Sequence, residues 1–317
     1  MDLQDIILDD PEPNPNEVIL QIAACGFSRH DALIISGTLK RGVILPRVLG
    51  HEISGEIVEV GKNVPKQLIG EKAVVIPKEL GHRQHGGFAE FVKVPFSSLI
   101  VLPSGYPSLK QASLLFSPIS VAAKAVKLCD IHEGNSLVIT GASGGLGVHA
   151  AQVAAAVGVK VLGITSSEKK ITRLQSMPWY DSVFLDTEPY EEIIPSITDD
   201  EGASAAIDTT GLSLNRVLTT LSSKGKLIIS GQLLPSPTPI IPAEIIFREL
   251  QLIGSLGAGI SEVEQSIFDM QAGAIDAIIE KTLPLKASSL KTALDNMKAN
   301  TSIGRILIDP QLPPKGE

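Results

Sequence analysis

The chain has 317 residues, 44% hydrophobic and 20% charged, which is length enough for two packed domains and a composition that excludes a disordered or fibrous chain. Its 35 acidic residues outnumber the 27 Lys and Arg, for a net charge of −8; the cations are scattered singly or in pairs, so nucleic acid and anionic membrane are excluded as expected partners. The two cysteines, Cys25 and Cys129, cannot build a disulfide framework and are read as free thiols in a reducing, cytoplasmic setting.

In chain order, "MDLQDIILDDPEPNPNEV" carries four Asp, two Glu and no Lys or Arg, so it is not expected to be a targeting signal, and no apolar run in the chain is long enough to cross a bilayer. Over residues 17–101, short segments rich in β-forming residues ("EVILQIAA", "GEIVEVG", "EKAVVIP", "FAEFVKVP", "SLIVLP") are broken by turn residues, which predicts a mostly β domain. Within it, "CGFSRHD" and "GHE" bring a thiol, imidazoles and carboxylates close in sequence, the residue types of a metal site. After "PSGYPSLKQASLL" the pattern becomes strand and Ala-rich helix in alternation, from "SLVIT" through "VKVLGIT" and "AAIDTTG" to "GKLIISG", predicting a parallel sheet with helices on its faces. Past Leu256 the expectation is a helix over 261–272, another over 288–298 and a last strand, "GRILID". The predicted division is a β-rich domain of residues 1–117 and 257–317 around an inserted α/β domain of residues 118–256.

The segment "SLVITGASGGLGVHAAQ" runs from a strand through a glycine-rich turn into a helix, the arrangement in which backbone N–H groups at a helix start receive a pyrophosphate. Gly141, Ser143, Gly144, Gly145, Leu146 and Gly147 are therefore candidate dinucleotide contacts, with Ala142 where the usual first glycine would stand. The next strand ends at Thr165, followed by Ser166, Ser167 and Lys170, with no acid at the strand end. Hydroxyls and cations there favour a 2′-phosphate, hence NADP(H) over NAD(H); the alternative is a solvated helix start. Asp208 and Gly231 end later strands and are expected to border the same crevice.

Taken together, "CGFSRHD", "GHEISGEIVEVG", "GGFAEFVKVP", "TGASGGLG", "IDTTG" and "GRILI" resemble the medium-chain dehydrogenase/reductase superfamily over nearly the whole chain. The resemblance implies a Rossmann doubly wound parallel sheet inserted in a β-rich GroES-like catalytic domain, and a homodimer joined through the edge strand near "LQLIGS". The superfamily's usual first strand has no counterpart ahead of "DPEPNPNEV". In zinc-dependent members a Gly-x-Cys-x-x-Asp pattern, the histidine of "GHE" and a third ligand before the dinucleotide domain hold the metal. Laid on this chain, those positions are Ser28, His51 and, in "LLFSPISVAA", Ser117; the four-cysteine lobe is replaced by "IPKELGHRQH". No zinc is therefore expected, since a neutral serine is a poor zinc ligand. A rearranged set of Cys25, His30, Asp31 and His51 stands as the alternative.

Zinc-free members of the superfamily include quinone oxidoreductases and enoyl reductases, so the resemblance implies NADPH-dependent hydride transfer to a carbonyl-conjugated double bond or a quinone. The alternatives are a zinc-dependent alcohol dehydrogenase with rearranged ligands, and an NADPH-binding sensor without catalysis. Ser28 and His30 are expected near the nicotinamide as donors to a substrate carbonyl, with a simple loop role as the alternative; His51 is a proton source or a structural histidine, and Asp31 is a candidate catalytic residue or one that keeps the domain's shape. Arg305 matches a basic position that contacts a cofactor phosphate in relatives, with a solvated arginine as the alternative. The "HRQH" segment, residues 82–85, is read as an exposed turn, with contact to substrate or a CoA phosphate as the alternative. At 4% aromatic residues, a small or flexible small-molecule substrate is favoured over a polycyclic one.

Overall fold

The computed structural model describes residues 2–199, 201–234 and 236–313, and the chain divides into two compact units, Met1–Ser117 with Ile279–Glu317, and Pro118–Ile278. Residues 2–14 carry no helix or strand. In the first unit, β1 (Glu17–Phe27) leads into α1 (Arg29–Ile35), followed by β2 (Glu52–Val60), β3 (Lys72–Val75), β4 (Phe91–Pro95), β5 (Leu99–Val101) and the short α2 (Leu109–Ala112). Every segment expected to be β in this stretch became a strand; all of β1 except Glu17 and Gln21 is buried, with Val18, Leu20, Ile22 and Phe27 in the core beside Ile53 and Ile57 of β2.

The second unit runs α3 (Val121–Cys129), β6 (Ser136–Thr140), α4 (Gly145–Ala156), β7 (Lys160–Thr165), α5 (Glu168–Gln175), β8 (Ser182–Leu185), α6 (Tyr190–Ser196), β9 (Ala203–Asp208), α7 (Leu214–Thr219), β10 (Leu221–Ile229), α8 (Pro242–Arg248), β11 (Gln251–Gly254) and α9 (Ile260–Gln271). Its six strands lie in the order β11-β10-β9-β6-β7-β8, all parallel. The chain moves outward from β6 to β8, then returns to the other side of β6 with β9. That reversal opens a crevice beyond the carboxyl ends of β6 and β9, the place where such sheets bind ligands.

The chain then re-enters the first unit with β12 (Ile279–Pro284), α10 (Ala287–Lys298) and β13 (Arg305–Asp309). The seven-stranded sheet has the order β12-β13-β1-β2-β3-β5, with β4 also paired to β1. The strand β12 was not foreseen: all its residues are half-buried, so its sequence lacks the two-residue alternation that announced the others.

The expected return at residue 257 precedes the observed change of unit at Ile279. The intervening segment is bonded to the second unit. Ser120 donates to Ser266 of α9 at 3.0 Å, Gln152 of α4 exchanges two bonds with the Asp276 backbone at 3.0 and 2.9 Å, and Ile278 N–H donates to His149 Nε2 at 3.0 Å. These are long-range contacts, invisible to periodicity.

Candidate functional site

In the first unit, two glycine-dependent approaches assemble a polar cluster on an apolar bed. Gly26 pairs with Glu52 across β1 and β2, and a Cβ at Gly26 would lie 2.2 Å from Glu52 Oε2, so only glycine admits that carboxylate. Gly50 has φ +93°, and a Cβ there would meet Cys25 Sγ at 2.7 Å. The left-handed turn it permits delivers His51 and Glu52. Cys25 itself is fully buried, and burial, with Asp31 and Glu52 nearby, pushes its thiol well above the usual range.

Ser28 caps α1 in a reciprocal capping box with Asp31. Its hydroxyl donates to Asp31 Oδ2 at 2.7 Å and its N–H to the same oxygen at 2.9 Å, while Gly50 N–H donates to Asp31 Oδ1 at 3.0 Å. The S-x-x-D spacing of this box is legible in the sequence as a helix start, a signal the metal-centred reading passed over. Asp31 is fully buried; burial opposes its ionisation, but His51 and the Ser28 donors outweigh it and hold the carboxyl at about 2.

His51 Nδ1 lies 3.8 Å from Asp31 Oδ1, an ion-pair separation rather than a hydrogen bond, and Nδ1 is buried without a hydrogen-bond acceptor. Burial works against a charged His51, yet Asp31, aided by Glu52, raises its pKa above the ordinary value. His30 stands edge-on to His51 with ring centroids 5.1 Å apart and faces His82 at 4.2 Å, the two Nε2 atoms in contact. Burial, with His51 and His82 beside it, lowers His30 to about 4; burial and His51 lower His82 as well. So His82 is not simply part of an exposed turn. Fifty-two residues of chain separate it from His30, and nothing local in the sequence pairs them.

Glu52, fully buried, turns away from His51 to Arg305. Arg305 Nε donates to both Glu52 oxygens at 3.1 Å and Nη2 to Oε1 at 3.0 Å. Ser117, whose extended backbone (φ −140°, ψ 131°) precedes Pro118, adds its hydroxyl to Glu52 Oε1 at 3.1 Å. Arg305, expected on a cofactor phosphate, thus gives two of its three nitrogens to a buried carboxylate.

The second unit builds the glycine loop. Gly141 has φ +63°, and a Cβ there would meet Thr209 Oγ1 at 2.3 Å; a Cβ on Gly147 would meet Gly141 O at 2.4 Å. Gly141 therefore performs the tight turn of the missing first glycine, and Ala142 is buried beneath it, its carbonyl accepting from Tyr180 Oη at 2.7 Å. Gly144 caps α4 without any side-chain bond to the first turn, so the N–H groups of Gly145, Leu146 and Gly147 are not capped by a side chain. Lys170, buried on α5, donates from Nζ to Ser143 Oγ at 2.7 Å. Thr165 is buried at the end of β7 and accepts from Ser167 N–H at 3.3 Å, while Ser166 is exposed.

Asp208 closes the floor of the crevice. It accepts from Thr140 Oγ1, from Thr210 N–H at 3.2 Å and Oγ1 at 2.9 Å, and from Gly211 N–H at 2.6 Å. Gly231 is pinned beside it, since a Cβ there would lie 2.0 Å from Thr209 O. The side chain of Asp208 is a brace for the turns around the loop.

A family profile described as "Alcohol dehydrogenase GroES-like domain" matches residues 14–104, and one described as "Zinc-binding dehydrogenase" matches residues 145–272. The chain belongs to the medium-chain dehydrogenase/reductase superfamily. Among its relatives, an acryloyl-coenzyme A reductase of Sulfurisphaera tokodaii is 28% identical over 95% of this chain and 94% of its own. A quinone oxidoreductase of Mus musculus is 29% identical over 86% and 80%. The crystal structure of AibC superposes with a TM-score of 0.84 at 24% identity, over 95% of this chain and 90% of that one, a likeness of fold. The protein is thus a nicotinamide-dependent oxidoreductase of this superfamily.

The zinc in the second profile's description finds a poor donor set here. At the positions where the resemblance puts metal ligands, Ser28 and Ser117 are neutral hydroxyls already bonded to carboxylates. Among the described residues, no group of three or more His, Cys, Asp or Glu is arranged to hold a metal ion. The rearranged set fares no better: Cys25 is buried with its thiol raised, and both Asp31 oxygens are held by Ser28 and Gly50. Both cysteines are free and buried, burial pushing Cys129 up to about 12. Among the described residues no helix is long and apolar enough to cross a membrane.

Proposed function

We propose that the protein is an NADPH-dependent reductase of carbonyl-conjugated double bonds or quinones, acting without zinc. One observation carries the reading: the hydroxyls of Ser28 and Ser117 are turned to carboxylates, while three imidazoles, His30, His51 and His82, gather beside Asp31. A site of this make-up supplies proton donors in place of a Lewis acid.

When bound, the nicotinamide supplies a hydride to the carbon β to the carbonyl, and the double-bond electrons move toward the carbonyl oxygen. The chain's part is to stabilise that oxygen and return one proton to the α-carbon. His51, its pKa raised, has a second N–H at Nε2 to give to the oxygen. His30 and His82, whose pKa values burial lowers, stand next to His51 and are assigned the relay of that proton. Ser28 holds α1 and Asp31 in place.

NADPH is favoured by Thr165, Ser166 and Ser167 at the end of β7 and by Lys170, whose cation lies against Ser143 of the loop. Asp208 and Gly231 border the crevice as supports, and Arg305, with Nη1 not taken by Glu52, is assigned to a cofactor phosphate on the resemblance alone. A cytoplasmic homodimer joined along β11 completes the proposal.

The test is nicotinamide oxidation against enones, quinones and enoyl thioesters, with NADPH and NADH in parallel and with and without a chelator. Chelator-insensitive turnover with NADPH preferred supports the reading. Loss of activity in chelator favours the alcohol dehydrogenase with rearranged ligands, and NADPH binding without turnover favours the sensor.

A further inference from the structure

Between Asp31 and Glu52 the sequence has no acidic residue and three cations, Lys40, Arg41 and Arg47, in a chain whose net charge is −8. Beyond α1 this stretch has no helix or strand. Lys40 and Arg41 are exposed, and Arg47 is half-exposed with its Nε given to Ile44 O at 3.2 Å. Among the described residues, none of the three cations has a carboxylate partner.

The loop is also fastened to the imidazole cluster. Ile44 N–H donates to His82 O at 3.0 Å, Gly86 N–H to Val48 O at 2.8 Å, and Val48 N–H to His85 Nδ1 at 3.2 Å. Between the cations, Ile44 and Leu45 expose about half their surface, 52% and 45%. An apolar strip bounded by unpaired guanidinium and ammonium groups therefore adjoins the site where the double bond would react.

An enone or a quinone brings no anion to such a surface, whereas a thioester on a phosphorylated carrier brings several. Arginine favours phosphate through its planar set of donors. Resting on the reductase reading above, we infer that the acyl substrate is carried on coenzyme A, with the phosphates of the carrier received by Lys40, Arg41 and Arg47 and its chain lying along Ile44 and Leu45. A protein carrier is the weaker fit, because a stable protein interface covers roughly 800 Å² per partner, while this patch is three cations on one loop.

The experiment compares kcat/KM for one α,β-unsaturated acyl group on coenzyme A, on N-acetylcysteamine and on acyl carrier protein, with NADPH, at ionic strengths from about 0.02 to about 0.5 M, a range that shortens the screening length several-fold. The expected result is a coenzyme A preference over N-acetylcysteamine of about 100-fold at low salt, residing in KM and shrinking with salt. Arg41→Gln, at an exposed position, and Arg47→Gln should each reduce that ratio about tenfold; circular dichroism and melting check their folding. Equal kcat/KM for the coenzyme A and N-acetylcysteamine esters, or a higher value for the carrier-protein ester, overturns the inference and leaves the reductase reading intact, as does reduction of enones and quinones without any thioester. If no conjugated double bond is reduced on any carrier and no quinone is reduced, the reductase reading falls and this inference with it.

Discussion

At the scale of single residues, the site depends on two carboxylates that share one neighbourhood and serve different partners. Asp31 is saturated by Ser28 and Gly50 and faces His51; Glu52 is saturated by Arg305 and Ser117. If His51 is the proton donor, His51→Gln lowers kcat by about 10²–10⁴-fold with a small change in KM, measured by steady-state kinetics. The wild-type kcat should fall as pH rises through the raised pKa of His51, above 6.5, and Asp31→Asn should move that limb to lower pH. Glu52 is fully buried, so Arg305→Met strands a carboxylate and should cost about 3–5 kcal/mol of stability, read by denaturant unfolding. Arg305→Met with Glu52→Gln should recover part of that loss, which separates the stranded charge from lost packing.

Among the elements, the turn between β6 and α4 and the end of β7 are those to which the proposed function assigns the cofactor. A side chain at Gly141 would collide with Thr209 and one at Gly147 with the Gly141 carbonyl, and α4 starts without a side-chain cap. An anion there stabilises the helix start. In the proposed function the choice of dinucleotide falls to the end of β7. If the β7 end receives a 2′-phosphate as proposed, Thr165→Asp puts a repelling carboxylate there and should lower the NADPH to NADH ratio of kcat/KM by at least about tenfold. An unchanged ratio would remove the β7 end from the selection of cofactor.

For the whole molecule, two consequences follow from groups distributed through the fold. His30 sits in the folded state at about 4, below its ordinary 6.5. Its contribution to stability is therefore full above pH 6.5 and is lost as pH falls from 6.5 toward 4, with His82 acting in the same direction. His51, raised, contributes in the opposite sense, below 6.5 and less as pH rises through its folded pKa. Thermal melting between pH 4 and 7 should show the first effect, weakened in His30→Gln. The second consequence concerns β11, an edge strand of the six-stranded sheet, with Ile246 at 67%, Phe247 at 85% and Leu256 at 91% exposure close to it in sequence. An unprotected edge beside large apolar residues invites pairing with a second copy. Light scattering should give a dimer mass, and Phe247→Glu should shift the equilibrium toward monomer.

How much of this was legible divides by range. The β-forming runs of β1 and β2, the βαβ rhythm from β6 to β10, and the strand, glycine turn and helix of the cofactor loop follow from side-chain period, turn chemistry and helix-start signals, all written within a few residues of one another. That Ser28 and Ser117 stand where zinc-dependent members carry ligands came from the resemblance alone. The approach of His82 to His30, the capture of Arg305 by Glu52, the half-buried β12 and the docking of the segment after β11 through Gln152 and His149 join residues tens to hundreds of positions apart. Local propensity carries no record of such contacts, because only the closed sheet and the packed helices bring those side chains within hydrogen-bonding reach.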